Sequence, residues 1–243
     1  MNRRTFMQTA TTAAAGIAVT KKISYGKGTP DAAHLFFDPA ELSRLRQSWS
    51  LPVFREFTAQ VLAVDLAADE KFLKKELDIQ NHIRHLQRAD IILQREAFAY
   101  LMTEEKSRLE LARLAIEKIL SFTTWDYFME AGKEVIGLQR APATTIAMRL
   151  AYDWLNGRLD ERTQTEMRRQ IADKGCMPCY RTLQGLRRPE TVVGWSFAPW
   201  VSLEPRDFSR WPIILDKTNL KAIPIAGLRS EEHTSELQSR QVI

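Results

Sequence analysis

Apolar positions recur at helical spacing through most of the chain. Asp38-Pro39-Ala40-Glu41 sets a capping carboxylate, a proline at the first helical position and a glutamate three residues after the cap. That order predicts a helix start, with Leu42, Leu45 and Trp49 marking one face. A second segment follows Pro52, with Phe54, Phe57, Val61 and Leu62 in register. A third runs from about Lys71 to Tyr100 through Leu77, Ile83, Leu86, Ile91 and Leu93, with a break expected near Asp90. Thr103 is the expected cap of the next, whose stripe is Leu109, Ala112, Leu114, Ile116, Ile119 and Leu120. After a connection from Trp125 to Gly137, Pro142 opens a helix through Met148, Leu150 and Trp154 that stops at Asn156-Gly157. Asp160 starts another, expected to end near Lys174-Gly175. Strand-like alternation is essentially absent, so the pattern predicts an all-α fold.

Helices of this length joined by short loops bury their stripes on one another as antiparallel hairpins. Rows of hairpins stack as a solenoid or close into an α/α toroid. No fixed-period self-similarity marks a solenoid of repeats, which favours the toroid.

Composition narrows the class. The chain has 243 residues, of which 44% are hydrophobic and 27% charged, a soluble globular balance. Beyond residue 30, every stretch long enough to cross a bilayer carries several charges. The net charge of +5 suggests nucleic acid until it is divided along the chain. Residues 1–30 hold Arg3, Arg4, Lys21, Lys22 and Lys27 with no acid, whereas residues 31–228 hold 28 bases and 27 acids. A near-neutral body with interleaved charges argues against phosphate binding.

Both ends differ from the body. Arg3-Arg4-Thr5-Phe6-Met7, an apolar run from Ala10 to Val19 and then Lys21-Lys22 resemble a bacterial twin-arginine export signal, implying a periplasmic or secreted protein. A frayed basic terminus is the alternative. The tail Arg229-Ser-Glu-Glu-His233-Thr-Ser-Glu-Leu-Gln-Ser239 is similar, residue for residue, to a translated short-read sequencing adapter. It is read as an artefact, with the natural chain continuing beyond Leu228; a disordered tail is the alternative. The expected organisation is a signal over 1–30, a helical domain over 31–228 and an extraneous tail over 229–243.

Three stretches carry a resemblance to a known family. These are His34 to Arg46, Met148 to Leu155 with Leu159 and Glu161-Arg162, and Asp216 to Leu228. In that order they resemble the heparinase II/III-like polysaccharide lyases. The resemblance implies an incomplete α/α toroid, an anionic polysaccharide or oligosaccharide as substrate, no cofactor and no metal. It implies β-elimination: a base removes the proton next to a uronate carboxylate, and a donor neutralises that carboxylate as charge develops. Asn219, in Thr218-Asn219-Leu220, matches the family's carboxylate-binding asparagine, although its paired neighbour is missing. Asn219 is equally suited to capping a helix. The family's tyrosine and histidine come from later helices, so this chain is expected to be inactive alone.

Other residues are candidates on their own chemistry. Tyr152, Asp153 and Trp154 could line a sugar cleft, since rings stack on sugar faces and carboxylates bind hydroxyls, though core packing suits them too. Trp195, Trp200 and Trp211 fall in a proline-punctuated, poorly periodic stretch where loops commonly carry binding function. His82 and His85 share a helical face without a third ligand, which suits a solvated face better than a metal. Cys176-Met-Pro-Cys179 lacks the βαβ setting of a thioredoxin motif and reads as a local disulfide or two buried thiols. Two other function classes stay open. Another toroid enzyme, a glycoside hydrolase or unsaturated glucuronyl hydrolase, would need two carboxylates, of which Asp153 is the helix-borne one. A non-catalytic helical module needs none.

Overall fold

The computed structural model describes residues 37–201 and 222–228. The signal over 1–30, the tail over 229–243, Trp211 and Asn219 lie outside the described residues.

Helix α1 spans Pro39–Trp49, and its start is the capping box that the sequence announces. The Glu41 amide donates to Asp38 Oδ1 at 2.7 Å and the Asp38 amide donates back to Glu41 Oε2 at 2.9 Å. A 3₁₀ turn, Pro52–Phe54, leads into α2, Arg55–Leu62. Here the apolar pattern does not mean burial: Leu51, Val53, Phe54 and Phe57 are all exposed.

Helix α3, Leu66–Lys71, is capped by Asp65 and opens into a π turn, Phe72–Glu76. A second π turn, His82–Leu86, capped by Asn81, feeds α4, Gln87–Thr103. The helical run therefore breaks at 77–81, and Asp90 lies inside α4 rather than at a break. Helix α5, Lys106–Ser121, takes Glu105 rather than Thr103 as its cap residue. Thr103 instead belongs to the last turn of α4, its hydroxyl donating to Ala99 O. Only Glu104 and Glu105 separate the two helices, and Glu104 turns the chain in the left-handed region at φ 59°.

Helix α6 spans Arg140–Trp154 and α7 spans Glu161–Gln170, with the Asp160 carboxylate capping α7. Contrary to expectation the helical path does not stop at Gly175. It runs on through a π turn, Ile171–Cys176, into α8, Met177–Arg187. Residues 222–228 form a last short helix, α9, with Gly227 and Leu228 against Pro142, Cys179 and the main core.

The molecule is mostly helical, but a small antiparallel sheet corrects the expectation that strands are absent. It comprises β1 (Phe128–Glu130), β2 (Glu134–Ile136) and β3 (Trp195–Phe197), in the order β2-β1-β3. Phe128 pairs with Ile136 on one side and Phe197 on the other. Strands of three residues are too short for sequence alternation to register.

Side-chain pairings give the helices their directions. Asp90 meets Thr144 at one end of the α4–α6 pair, and Phe98 meets Trp154 at the other, so these helices run parallel. Arg108 of α5 reaches back to Glu96 of α4, making that hairpin antiparallel. Arg168 of α7 meets Tyr152 of α6, and Gly175 meets Thr145, making the second hairpin antiparallel too. Two layers result, α4 and α6 in one, α5 and α7 in the other.

Between the layers lies the main core, built on Leu93, Ile116, Ile119, Trp125 and Met148. A buried ionic chain reinforces it: Arg108 Nη1 sits 2.9 Å from Glu96 Oε2, Glu96 Oε1 holds Arg95 at 2.5 Å, and Arg95 reaches Asp69 of α3. Removing one member would leave a buried charge unpaired. A second core cluster, with Tyr127, Phe128, Leu186 and Trp195, lies beneath the sheet.

The continuity of α7 through α8 depends on Gly175, where an added Cβ would fall 2.1 Å from Thr145 Oγ1. Gly175→Ala should cost about 1–3 kcal/mol in urea unfolding through overpacking. Adding Thr145→Ala should recover part of that loss; a single variant as stable as the parent would show that the contact is slack.

Candidate functional site

Two ends of α6 carry the polar chemistry. The N-terminal end is organised by Asp126, which is fully buried. Its Oδ2 accepts from the amides of Leu138, Gln139, Arg140 and Ala141 at 2.9 to 3.2 Å, and Oδ1 accepts from Tyr127 N at 2.9 Å. A carboxylate there satisfies amides that a helix start leaves unpaired and meets the positive end of its dipole. Burial pushes the Asp126 carboxyl up, against the pull of these amides. Tyr127 donates its hydroxyl to Gln139 Oε1 at 2.7 Å, and burial, followed by the Asp126 charge, pushes that phenol up as well.

His82 closes the same corner. It is buried, not on a solvated face, with Nδ1 3.0 Å from Gln80 O and Nε2 3.0 Å from Thr124 O. Its ring packs on Phe122 and on Trp200, 6.2 Å away. His85 Nδ1 accepts from the Asp78 amide, and its ring lies edge-on to Phe72. Among the described residues, no group of three or more His, Cys, Asp or Glu is placed to hold a metal. Trp200 is exposed at 41%, open to a ligand on its outer face. Trp195, by contrast, is buried in the sheet core, pressed against Gly185, so it offers no surface to a sugar.

Tyr152 and Asp153 lie at the opposite end of α6, about 20 Å from its start at helical rise. Arg168 Nη1 donates to the Tyr152 hydroxyl at 2.7 Å, locking the ring into the α6–α7 contact. Asp153 is buried. The residues expected as sugar contacts therefore do not converge: Tyr152 and Asp153 share one end, Trp200 stands at the other, and Trp195 is core. Of that motif it is Trp154 that borders a cavity, a small one between α1, α4 and the end of α6. A larger open groove of about 1090 Å³ runs over α5 between α3 and α7, lined by Glu70, Arg113 and Glu166 among others and by no aromatic ring. Arg169 and Gln170 hold the Glu166 carboxyl down at about 2.

Cys176 and Cys179 are both buried and no disulfide joins them, which settles that motif as two thiols. The buried carboxyl that the sequence does not single out is Asp90. It accepts from Thr144 Oγ1 at 2.7 Å while its other oxygen has no partner. Burial drives it to about 8, opposed by the Thr144 bond and the nearby Arg140 charge. Its place on a helix facing inward is legible as a polar residue on an apolar face, but the same feature reads equally as a helix break. Comparison with protein-family models and with curated proteins finds no match for the chain.

Asp90 gives a pH prediction with a definite sign. Its folded pKa lies above the unfolded value near 4, so from about pH 4 to about 8 the folded state holds a proton that the unfolded state has released. This contribution to stability falls as pH rises through that window, by up to about 1.4 kcal/mol per pH unit. Asp90→Asn, which keeps an acceptor for Thr144, should flatten the profile and exceed the parent's stability above neutrality. Parallel urea-unfolding profiles for the two proteins would contradict this.

Proposed function

We propose that the chain is the opening helical part of a polysaccharide lyase that cleaves uronic-acid glycans by β-elimination, folded as part of an α/α toroid. The observation that carries the reading is the layering. Parallel α4 and α6 occupy one layer and their antiparallel partners the other, as two consecutive hairpins of a toroid would. The ordered resemblance of three stretches between His34 and Leu228 supplies the family. In this reading Asn219 donates to the uronate carboxylate and Trp200 stacks on a sugar face, and the twin-arginine segment exports the protein to the periplasm or beyond.

Elimination also needs a base and an acid within hydrogen-bond reach of the sugar. The described candidates are already engaged. Tyr127 binds Gln139, Tyr152 binds Arg168, and His82 is held by Gln80 and Thr124. These engagements favour an inactive chain, and they make a non-catalytic glycan-binding module the second reading.

The test is to mix the chain with heparin, chondroitin sulfate and alginate oligosaccharides, following tryptophan fluorescence and the ultraviolet absorbance of unsaturated uronate. Saturable binding without unsaturated product is expected, weakened about tenfold by Trp200→Ala through lost stacking. Unsaturated product would overturn the inactive reading. Absence of binding to all three glycans would overturn the glycan assignment itself.

A further inference from the structure

The small cavity at the C-terminal ends of α4 and α6 is built for a ligand. It measures about 160 Å³, with Leu42 and Leu101 as its apolar wall and Arg46, Tyr100, Trp154, Asn156 and Arg158 among its lining. A volume of that size suits the head of a small molecule rather than a length of chain.

Three features of this pocket point to an oxyanion. First, Trp154 Nε1 is buried without a hydrogen-bond partner. An unmet buried N–H costs about 1–3 kcal/mol, and an acceptor entering the pocket would recover it. Second, two guanidinium groups line the cavity against one carboxylate, that of Glu104. Arg46 is fixed in place: its Nε and Nη2 donate to Leu101 O at 2.9 and 2.7 Å, which also covers a carbonyl at the negative end of α4. Third, the remaining Arg46 nitrogen, Nη1, holds Glu104 Oε1 at 2.8 Å. The pocket thus already receives a carboxylate, and that carboxylate is 60% exposed, on a residue at the chain's surface turn.

Glu104 is an odd residue for its position. At φ 59° it closes α4 in the left-handed conformation, its amide donating to Tyr100 O at 2.8 Å. Glycine suits that backbone better than any residue with a Cβ. A glutamate there gives the rim of the pocket a carboxylate able to occupy or vacate Arg46.

We propose that this pocket binds a carboxylate or sulfate group, with Trp154 Nε1–H and Arg46 Nη1 donating to its oxygens in place of Glu104. The proposal is independent of the lyase reading, since a non-catalytic protein could hold the same ligand. It also lies at the other end of α6 from Trp200, so the two sites can be tested apart.

The experiment uses the full chain labelled with ¹⁵N and follows the indole N–H resonance of Trp154, identified by its loss in Trp154→Phe. Sodium sulfate, sodium glucuronate and sodium chloride are titrated at matched ionic strength. Sulfate or glucuronate should move this resonance saturably while chloride leaves it unmoved. The tighter of the two distinguishes a free inorganic oxyanion from one carried on a sugar. Glu104→Gly, which suits the left-handed backbone, should fold at least as well and bind at least about threefold tighter, because the competing ion pair is gone. A resonance unmoved by both oxyanions overturns the proposal, and so does an equal response to chloride.

Discussion

A single buried carboxylate sets the geometry on which the described fold depends. Asp126 collects four amides at the start of α6 on one oxygen and the Tyr127 amide on the other. It thereby fixes where the sheet ends, where α6 begins and how the loop after α5 returns to the core. Neighbouring bonds hold the same loop. Trp125 Nε1 donates to Ile119 O, Thr124 Oγ1 donates to Asp126 O, and His82 ties the loop to the π turn before α4. Lys174 completes the corner by donating to Leu120 O and Phe122 O at the end of α5, where a cation meets unpaired carbonyls.

With α6 anchored at that end, the two-layer packing follows from the apolar stripes. α6 runs alongside α4, α5 returns antiparallel to α4, and α7 returns antiparallel to α6. The polar chemistry is consequently split between the two ends of α6. One end exposes Trp200 over a histidine locked between carbonyls; the other holds an unmet indole N–H beside two guanidinium groups. A ligand at one end leaves the other free, and neither end resembles the mixed-charge groove over α5.

Local signals are readable from the chain alone. The capping box of Asp38 and Glu41, the cap at Asp160 and the helical stripes of α4, α5 and α6 are all set by residues within one or two turns of each other. What escapes a reading of the sequence is non-local. Asp126 caps a helix that begins fourteen residues later, so no spacing rule finds it. Three-residue strands give no alternation. Gly175 reads as a helix end because its real role, close approach to Thr145, is a tertiary contact. The exposed apolar residues of α2 show the converse, a helical period whose face meets no partner among the described residues. Of the candidate site, Trp200 and the Tyr152-to-Trp154 segment are recognisable as aromatic and polar positions, but their separation along α6 and the engagement of Tyr152 by Arg168 depend on packing.

The central claim, that Asp126 anchors α6 and the sheet, is tested most directly by amide hydrogen exchange on Asp126→Asn. An amide side chain is uncharged and has one acceptor oxygen where the carboxylate has two. The account predicts that amides 138–141 and those of β1 exchange at least about tenfold faster, while the α4–α5 hairpin keeps most of its protection. Unchanged exchange at 138–141 in a folded variant would contradict it.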